Sequence, residues 1–267
     1  MVLMDSLSAT SNVCRREHRP IETAYQSDIG QQRSENQDRV DSFATDAGMQ
    51  LDLVADGIGG NRGGDVAAQT TVQTLGQRFL KSAPNDEAAA KQWLADQVQQ
   101  INDQIIDESR KNENYQGMGT TLVAAIFFND RQKIVIANIG DSRGYIMHQN
   151  VLTQVTIDHS LVNELVKNGD LTEQEAAVSP QNNIITRAIG ISHDAQIDVN
   201  VFPFEPGDQL LMCSDGLSKT VDKQELTQVL QSDAPLKDKC SVLVEKANAA
   251  GGPDNITVLI SQNDQER

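Results

Sequence analysis

Three aspartates directly follow apolar segments, at points where a strand would end in a turn. Asp56 closes LDLVAD, Asp141 closes IVIANIGD and Asp215 closes LLMCSD. Asp254 precedes the last apolar segment, and Asp38 precedes another. Aspartate is common in turns, so each residue alone is explained by a turn. If these strand ends converge, however, the carboxylates would repel one another strongly in a poorly solvated pocket unless cations neutralised them.

Divalent cations are suitable counter-ions for such a group of carboxylates. Ligation by oxygen alone, without histidine or cysteine, favours Mg²⁺ or Mn²⁺ and disfavours structural zinc. Two such ions bridged by one carboxylate would lower the pKa of a water molecule that they share. They would also align the reacting groups for an in-line displacement at phosphorus. The pattern therefore predicts metal-assisted hydrolysis of a phosphate ester.

Two further motifs lie close to these aspartates. The glycine-dense turn DGIGGNRGG begins at Asp56; it lacks the lysine of a P-loop and does not match the dinucleotide fingerprint. Its glycines would let backbone carbonyls approach a metal and would permit positive φ after Asp56, although a plain strand-to-helix connection is the alternative. Arg33 could hold a phosphate bidentately beside the ions. Taken alone, Arg33 is more simply a surface residue.

The elements that would position these residues form separate blocks. Strands are predicted at Glu22–Ser27, Gln50–Ala55, Thr120–Phe128, Lys133–Asn138, Gly144–His148, Ile197–Phe204, Gln209–Cys213 and Asn255–Ile260. Helices are predicted at Val66–Leu80, Glu87–Glu108 and Leu236–Ala250. Because the strands do not alternate strictly with helices, an α+β arrangement of sheets covered by helices is favoured over a doubly wound parallel sheet.

The domain organisation is expected to be simple. No Pro-rich or Gly/Ser-rich linker divides the chain, so we expect one domain over residues 21–262. The polar segment Asp158–Gln181 predicts either a flap over a site, at about residues 159–183, or a surface helical hairpin. Residues 1–20 lack the apolar core of a secretory signal, and we interpret them as an extension that is either disordered or regulatory. Residues 263–267 form a polar tail.

Composition excludes several classes of function. With 22 Lys and Arg against 38 Asp and Glu, the net charge is −16, so the chain lacks the basic footprint of a nucleic-acid-binding protein. No apolar run approaches the length of a membrane span, and no membrane association is expected. The three cysteines, without a CxxC pair, favour a reducing compartment and hence a cytoplasmic location.

The sequence resembles the metal-dependent protein serine/threonine phosphatases of the PP2C type (PPM family), bacterial branch. The resemblance runs from about Glu22 to Ile260 through seven segments in the family's order: SDIGQQRSENQD, VADGIGGNRGG, GMGTTL, ANIGDSRGY, DHSLVNELVKNG with IITRAIG, LLMCSDGL and GGPDNITV. It implies a four-layer α-β-β-α fold with a central antiparallel β-sandwich. It also implies hydrolysis of phosphoserine and phosphothreonine by direct attack of a metal-bridging water or hydroxide, without a covalent phosphoenzyme.

The resemblance also assigns the metal ligands. In proteins like this one, the aspartate matching Asp56 bridges two Mn²⁺ or Mg²⁺ ions, and the carbonyl matching Gly57 joins the first. The aspartates matching Asp215 and Asp254 complete the second site, whereas the one matching Asp38 acts in the first site, largely through water. Together, Arg33, Asp38 and Asp56 are the catalytic residues that this resemblance implies.

Other roles follow from the same resemblance. The aspartate matching Asp141 helps to bind a third ion together with that matching Asp215, and the arginine matching Arg33 holds the substrate phosphate. Two residues depart from the pattern. Gln37 stands where many members have glutamate, and Ile58 stands where eukaryotic members place a histidine proposed as general acid. We expect a monomer that acts on phosphorylated proteins, such as those made by a serine/threonine kinase.

Two alternative functions remain open at this point. The residues around Ser142 spell GxSxG, as in serine hydrolases, and His159 and His193 lie downstream. A nucleophile elbow needs a helix directly after the serine, whereas the segment here predicts a hairpin with its turn at Gln149–Asn150. A catalytically silent phosphoprotein-binding relative is the second alternative. Such a protein usually lacks a metal-binding aspartate. Here all four aspartates that match the two core metal sites are present, namely Asp38, Asp56, Asp215 and Asp254.

Overall fold

Two five-stranded antiparallel sheets stacked face to face form the centre of the molecule in this computed structural model, which describes residues 21–59, 63–177 and 179–263. The first sheet contains, in spatial order, β1 (Glu22–Asp28), β12 (Ile256–Gln262), β11 (Gln209–Cys213), β8 (Arg143–His148) and β9 (Val151–Gln154). The second contains β10 (Asp198–Pro203), β7 (Lys133–Ile139), β6 (Leu122–Phe128), β3 (Gln50–Ala55) and β2 (Arg39–Ala44). A small separate sheet pairs β4 (Gly57–Ile58) with β5 (Gly119–Thr120).

Helices cover both outer faces of this sandwich. The second sheet is covered by α1 (Gly63–Lys81) and α2 (Glu87–Lys111). The first sheet is covered by α5 (Asp215–Ser218), α6 (Lys223–Gln231) and α7 (Leu236–Ala249). The connection from β9 to β10 carries α3 (Leu161–Asn168) and α4 (Glu173–Ala177). Among the helices of the described ranges, none is long and apolar enough to cross a membrane.

The apolar residues form three layers, which β6 illustrates. Every residue of this strand is buried. Leu122 and Ala124 pack with the residues of α1 and α2, whereas Val123 and Ala125 pack between the two sheets. Because side chains alternate along a strand, one that is apolar throughout must be covered on both of its faces. The third apolar layer lies between the first sheet and α5 to α7.

One acidic residue lies inside the sandwich, far from solvent. Asp52 of β3 is completely buried, and burial raises the pKa of its carboxyl group. Its Oδ1 accepts hydrogen bonds from Ser42 at 2.6 Å and Gln50 at 2.9 Å, and its Oδ2 accepts one from Ser261 of β12 at 2.5 Å. This network joins the two sheets through polar contacts and fixes their relative position.

The predicted α+β, four-layer architecture is confirmed. The three long helices and the strand blocks occur where predicted, but the predicted strand Thr120–Phe128 divides between β5 and β6, which belong to different sheets. The helix α6 was not predicted. Its N-cap is Asp222, whose Oδ1 accepts a hydrogen bond from the Glu225 amide at 2.8 Å, so an Asp-x-x-Glu capping sequence marked its start.

The segment predicted as a flap contains α3 and α4. The hydroxyl of Ser160 caps the start of α3, and Gly169, with φ of 81°, ends it. Its identification as a flap and the boundaries of the single domain remain predictions. The predicted extension at residues 1–20 and residues 264–267 of the predicted tail lie outside the described residues.

Candidate metal and phosphate site

The predicted aspartates lie at strand ends that meet at one end of the sandwich. Arg39 of β2 pairs with Ala55 of β3, which places Asp38 beside Asp56. In the first sheet, β12 pairs with both β1 and β11, which brings Asp254, two residues before β12, towards the end of β11. The structure therefore brings together strand ends that are far apart in the sequence.

The backbone of Asp56 is fixed by two threonines of the GMGTTL segment. Its carbonyl oxygen accepts hydrogen bonds from the Thr120 hydroxyl and the Thr121 amide, both at 2.9 Å. Its amide donates to the hydroxyl of Thr121 at 3.0 Å, and that hydroxyl also bonds the hydroxyl of Ser142 at 2.7 Å. These contacts link Asp56 to the loop that carries Asp141.

Close backbone contacts explain two glycines next to ligand positions. A Cβ atom on Gly57 would lie 2.3 Å from the carbonyl oxygen of Gly64, and one on Gly216 would lie 2.0 Å from the carbonyl oxygen of Asn255. No side chain fits at either position. The predicted positive φ in the glycine-rich turn occurs at Gly59, with φ of 140°, and not at Gly57.

Asn255 is a structural residue of the site to which the sequence had assigned no role. Its buried side chain donates to the carbonyl oxygens of Ile29 and Glu35, both at 2.9 Å, and accepts from the Gln37 amide at 2.8 Å. These three bonds hold the loop that contains Arg33 against the start of β12. The sequence feature that could have identified Asn255 is its position within the segment GGPDNITV.

The carboxylates of the site act on one another electrostatically. Burial raises the pKa of Asp38 to about 7, and Asp215 and Asp254 add to this rise against hydrogen bonds from Thr257 and Ser214 that lower it. The hydroxyl of Ser214 lies 2.7 Å from Oδ2 of Asp38. The carboxylates of Asp215 and Asp254 are therefore close enough to disfavour ionisation of Asp38.

Two further aspartates show the same effect. Burial, followed by the charges of Asp38, Asp215, Asp141 and Asp254, raises the pKa of Asp56 well above its ordinary value. Burial and the charge of Asp215 raise the pKa of Asp141 to about 6, although Lys219 opposes the rise. All five predicted aspartates thus contribute to one negative electrostatic field.

Two basic side chains, Arg33 and Lys219, form ion pairs with three of these carboxylates. Nη2 of Arg33 donates to Oδ2 of Asp254 at 2.7 Å. Nζ of Lys219 lies 2.6 Å from Oδ2 of Asp215 and 3.2 Å from Oδ2 of Asp141. Burial lowers the pKa of Lys219, but the two facing carboxylates raise it by more. Within the described ranges, no three His, Cys, Asp or Glu side chains form a metal-binding group in this arrangement.

The remaining carboxylate oxygens nevertheless suit a divalent cation. Among the described residues, Oδ1 of Asp38, of Asp141 and of Asp215 are buried without a hydrogen-bond partner. A buried polar atom without a partner is costly, and a charged one more so. Carboxylate and carbonyl oxygens are the ligands that Mg²⁺ and Mn²⁺ prefer, so the residues present fit such an ion.

A cavity of about 750 Å³ lies at this end of the sandwich, and the aspartates that line it are Asp56 and Asp254. Its lining includes Arg33, Asp56, Gly57 and Asp254. The side chain of Arg33 is 55% exposed, so its guanidinium is accessible from this cavity. Residues 60–62 of the glycine-rich turn lie outside the described residues. The predicted phosphate-binding arginine and three of the predicted metal ligands therefore share one cavity.

The structure contradicts the serine hydrolase alternative. Ser142 is completely buried and is followed by strand β8 instead of a helix. The predicted hairpin is present, because β8 pairs with β9 and the turn residues Gln149 and Asn150 have φ of 47° and 66°. Both ring nitrogens of His159 have other partners, at 3.1 Å each: the Gly140 amide and Asp198.

Comparisons with known proteins identify the family of the chain. Residues 29–251 match the family model described as Protein phosphatase 2C. A serine/threonine phosphatase, stp, of Listeria monocytogenes serotype 4b is 40% identical over 241 residues, which are 90% of this chain and 95% of the Listeria protein. The resemblance to bacterial PP2C-type phosphatases is thereby confirmed.

Solved structures of similar proteins show the same fold. The serine/threonine phosphatase of S. agalactiae matches with a TM-score of 0.87 and 39% identity. The match covers 91% of this chain and 100% of the S. agalactiae chain. The catalytic domain of the phosphatase PstP, determined in complex with 2 manganese ions, has a TM-score of 0.79 and 33% identity. It covers 91% of this chain and 97% of that chain.

Proposed function

The chain belongs to the protein phosphatase 2C family, and we propose that it removes phosphate from phosphoserine and phosphothreonine in proteins with the help of two Mn²⁺ or Mg²⁺ ions. The observation that carries this proposal is that Asp56, Gly57 and Asp254 share one cavity with Arg33, while Oδ1 of Asp38 and of Asp215 are buried without a hydrogen-bond partner among the described residues. Substrates of this kind are produced by serine/threonine kinases. We further propose that the chain acts as a monomer in the cytoplasm.

The proposed metal ligands come from the strand ends of both large sheets. Asp38 before β2, Asp56 after β3 and the Gly57 carbonyl next to it would hold the ions from the side of the second sheet. From the first sheet, Asp215 and Asp254 would hold the second ion. When bound there, the ions would activate a water for in-line attack and neutralise charge on the phosphate.

Ser214 and Thr257 prepare Asp38 for this role. The Ser214 hydroxyl donates to Oδ2 of Asp38 at 2.7 Å and accepts from the Thr257 amide at 2.9 Å. This chain of hydrogen bonds fixes one oxygen of the carboxylate, whereas Oδ1 has no hydrogen-bond partner among the described residues. The oriented Oδ1 is then available to a cation or to a water bound by one.

Arg33 would bind and orient the substrate phosphate. Its guanidinium now bonds Asp254, whose side chain is 32% exposed. Carboxylate and phosphate present similar pairs of oxygens to a guanidinium, so a substrate phosphate can replace Asp254 as its partner. Asp254 is then free to hold a cation. After this exchange, Arg33 would pair with the phosphate and Asp254 with the cation, so both charges would remain neutralised and the arginine would face the substrate.

The proposal is tested by phosphate release from a phosphothreonine peptide in the presence of Mn²⁺. We expect Asp215→Asn to lower the rate by about 100-fold or more, since it removes a charged ligand of the ions. Asp46→Asn is the matched control, because Asp46 is exposed in the turn between β2 and β3. An Asp215→Asn variant as active as the unaltered chain would show that the assigned site is wrong.

Calorimetry separates this function from that of a silent phosphoprotein-binding relative. A phosphatase with this site must bind Mn²⁺, and chelation with EDTA must abolish phosphate release. Binding of a phosphopeptide without any binding of Mn²⁺ would favour the silent relative instead.

A further inference from the structure

Lys219 is bonded to three acceptors at the end of the short helix α5. Its Nζ lies 2.6 Å from Oδ2 of Asp215, 3.2 Å from Oδ2 of Asp141 and 2.9 Å from Oδ1 of Asn183. An ammonium group has three donors and no acceptor. All three donors therefore have partners, two of which are carboxylates of the proposed active site.

The fold places this ammonium group between the two carboxylates. Asp215 begins α5 and Lys219 follows its last residue, so the two lie four positions apart, which brings their side chains to the same side of this helical turn. Asp141 reaches the same point from the loop after β7, and the pairing of β8 with β11 holds that loop beside α5. The side chain of Asp141 is 3% exposed and that of Lys219 is 27% exposed.

In both Asp141 and Asp215, the two carboxylate oxygens have different surroundings. Oδ2 of Asp141 and Oδ2 of Asp215 face Lys219, whereas their Oδ1 atoms are buried without a hydrogen-bond partner among the described residues. A positive charge between two buried carboxylates neutralises repulsion that would otherwise be large in this poorly solvated region. Lys219 thus already does, for these two residues, what a cation would do.

We infer that Lys219 is a built-in cation that replaces a third divalent ion between Asp141 and Asp215, so that the chain binds only the two ions of the core site. The inference rests on the proposed function, because Asp215 also serves the core site. An additional ion at Asp141 would have to displace the ammonium group or lie within a few ångströms of it, and like charges at that separation repel each other.

The inference is tested by counting bound Mn²⁺ in Lys219→Met. Isothermal calorimetry together with electron paramagnetic resonance of free Mn²⁺ gives the number of ions and their affinities. We expect two ions in the unaltered chain and three in Lys219→Met, with the third bound at least about tenfold more tightly than any third ion in the unaltered chain. Lys223→Met is the matched control, since Lys223 is exposed at the start of α6.

Thermal melting gives a second readout that does not depend on activity. Without metal, Lys219→Met should melt at a lower temperature than the unaltered chain, because Asp141 and Asp215 lose their shared counter-ion. Mn²⁺ should then raise its melting temperature by more than it raises that of the unaltered chain. Lys219→Arg, which keeps the charge, should resemble the unaltered chain in both respects. If Lys219→Met does not fold, Lys219→Gln takes its place.

The outcomes distinguish this inference from the proposed function. If the unaltered chain and the Lys219 variant bind the same number of ions with the same affinities, the inference is overturned and the phosphatase proposal stands. A third ion bound by the unaltered chain as tightly as by the variant also overturns it. If neither protein binds Mn²⁺, the proposed function itself is overturned.

Discussion

Arg33 and Asp254 are separated by 221 positions in the chain, yet Nη2 of Arg33 donates to Oδ2 of Asp254 at 2.7 Å. The loop of Arg33 follows β1, and Asp254 precedes β12, with which β1 pairs along its whole length. The pairing of these two strands therefore joins the proposed phosphate-binding residue to a proposed metal ligand. We therefore expect binding of a substrate phosphate to Arg33, or of a cation to Asp254, to break this contact.

Replacement of Arg33 by alanine should weaken binding of the substrate. We expect the KM for a phosphothreonine peptide to rise by about tenfold or more, because a bidentate, charged contact to the phosphate is lost. The rise in melting temperature on addition of Mn²⁺ should persist, since the carboxylate of Asp254 remains. Initial rates at several peptide concentrations measure the first effect, and thermal melting measures the second.

Arg131→Ala is the control for this experiment. Arg131 pairs with Glu87 at the turn between β6 and β7, which is the end of β6 opposite to the candidate site. This variant loses an ion pair but should keep the KM of the unaltered chain. An unchanged KM in Arg33→Ala would remove Arg33 from the proposed mechanism.

The response to Mn²⁺ should depend on pH through Asp38. Burial and the charges of neighbouring carboxylates raise its pKa in the folded chain to about 7, above the ordinary value of 3.8. The contribution of this raised pKa to stability is therefore fully present below about pH 4 and is lost as the pH rises through about 7. The stabilisation by Mn²⁺ should grow over the same range, because the cation competes with protons for the Asp38 carboxylate.

Melting temperatures between about pH 5 and about pH 8, with EDTA or with Mn²⁺, test this expectation. Asp38→Asn should reduce the dependence on pH in EDTA, since the amide does not titrate. A rise with Mn²⁺ that is the same at every pH would contradict the assignment of Asp38 as a ligand.

Asp52 should contribute to stability without contributing to activity. Asp52→Ala would leave the buried donors of Ser42, Gln50 and Ser261 without their acceptor, and we expect a loss of about 3 kcal/mol in the free energy of unfolding. Denaturant titration measures this loss. The control is Asp103→Ala, because Asp103 lies exposed on α2 and accepts one bond from Gln99. If Asp52→Ala were as stable as this control, the polar network would not fix the sheets.

Asn255 should affect both stability and substrate binding. Asn255→Ala removes three hydrogen bonds to the backbone of the 29–37 loop, and we expect a loss of about 2–3 kcal/mol in stability. The KM for the peptide should also rise, because the loop that carries Arg33 loses its attachment. Asn200→Ala, on the exposed face of β10, is the control for both measurements. A loss of stability without any change in KM would separate Asn255 from the phosphate site.

The aspartates were predictable because of their positions relative to apolar strands. Asp56, Asp141 and Asp215 each follow a segment that must be buried, and strand ends of a sandwich meet at its rims. The α+β architecture followed from the same apolar segments. The additional assignment of individual ligand roles came from the resemblance to a family, since a turn containing aspartate does not by itself identify a metal site.

Lys219 and Asn255 could not be predicted in the same way. A lysine four residues after an aspartate is typical of an exposed ion pair on a helix, and its second carboxylate, Asp141, lies 78 positions away. Asn255 bonds the backbone of a loop that is more than 200 positions away. Such partners are fixed only by the pairing of distant strands, which the local sequence pattern does not encode.

The position of β12 also has a consequence for how the enzyme is made. This strand lies between β1 and β11, and Asp254 lies two residues before it. A nascent chain on the ribosome therefore cannot complete the first sheet, or bring Asp254 to Asp56, until nearly the whole domain has been translated. Shorter intermediates of synthesis have neither a completed first sheet nor all of the proposed metal ligands. We therefore expect the growing polypeptide to gain its catalytic capacity in one late step.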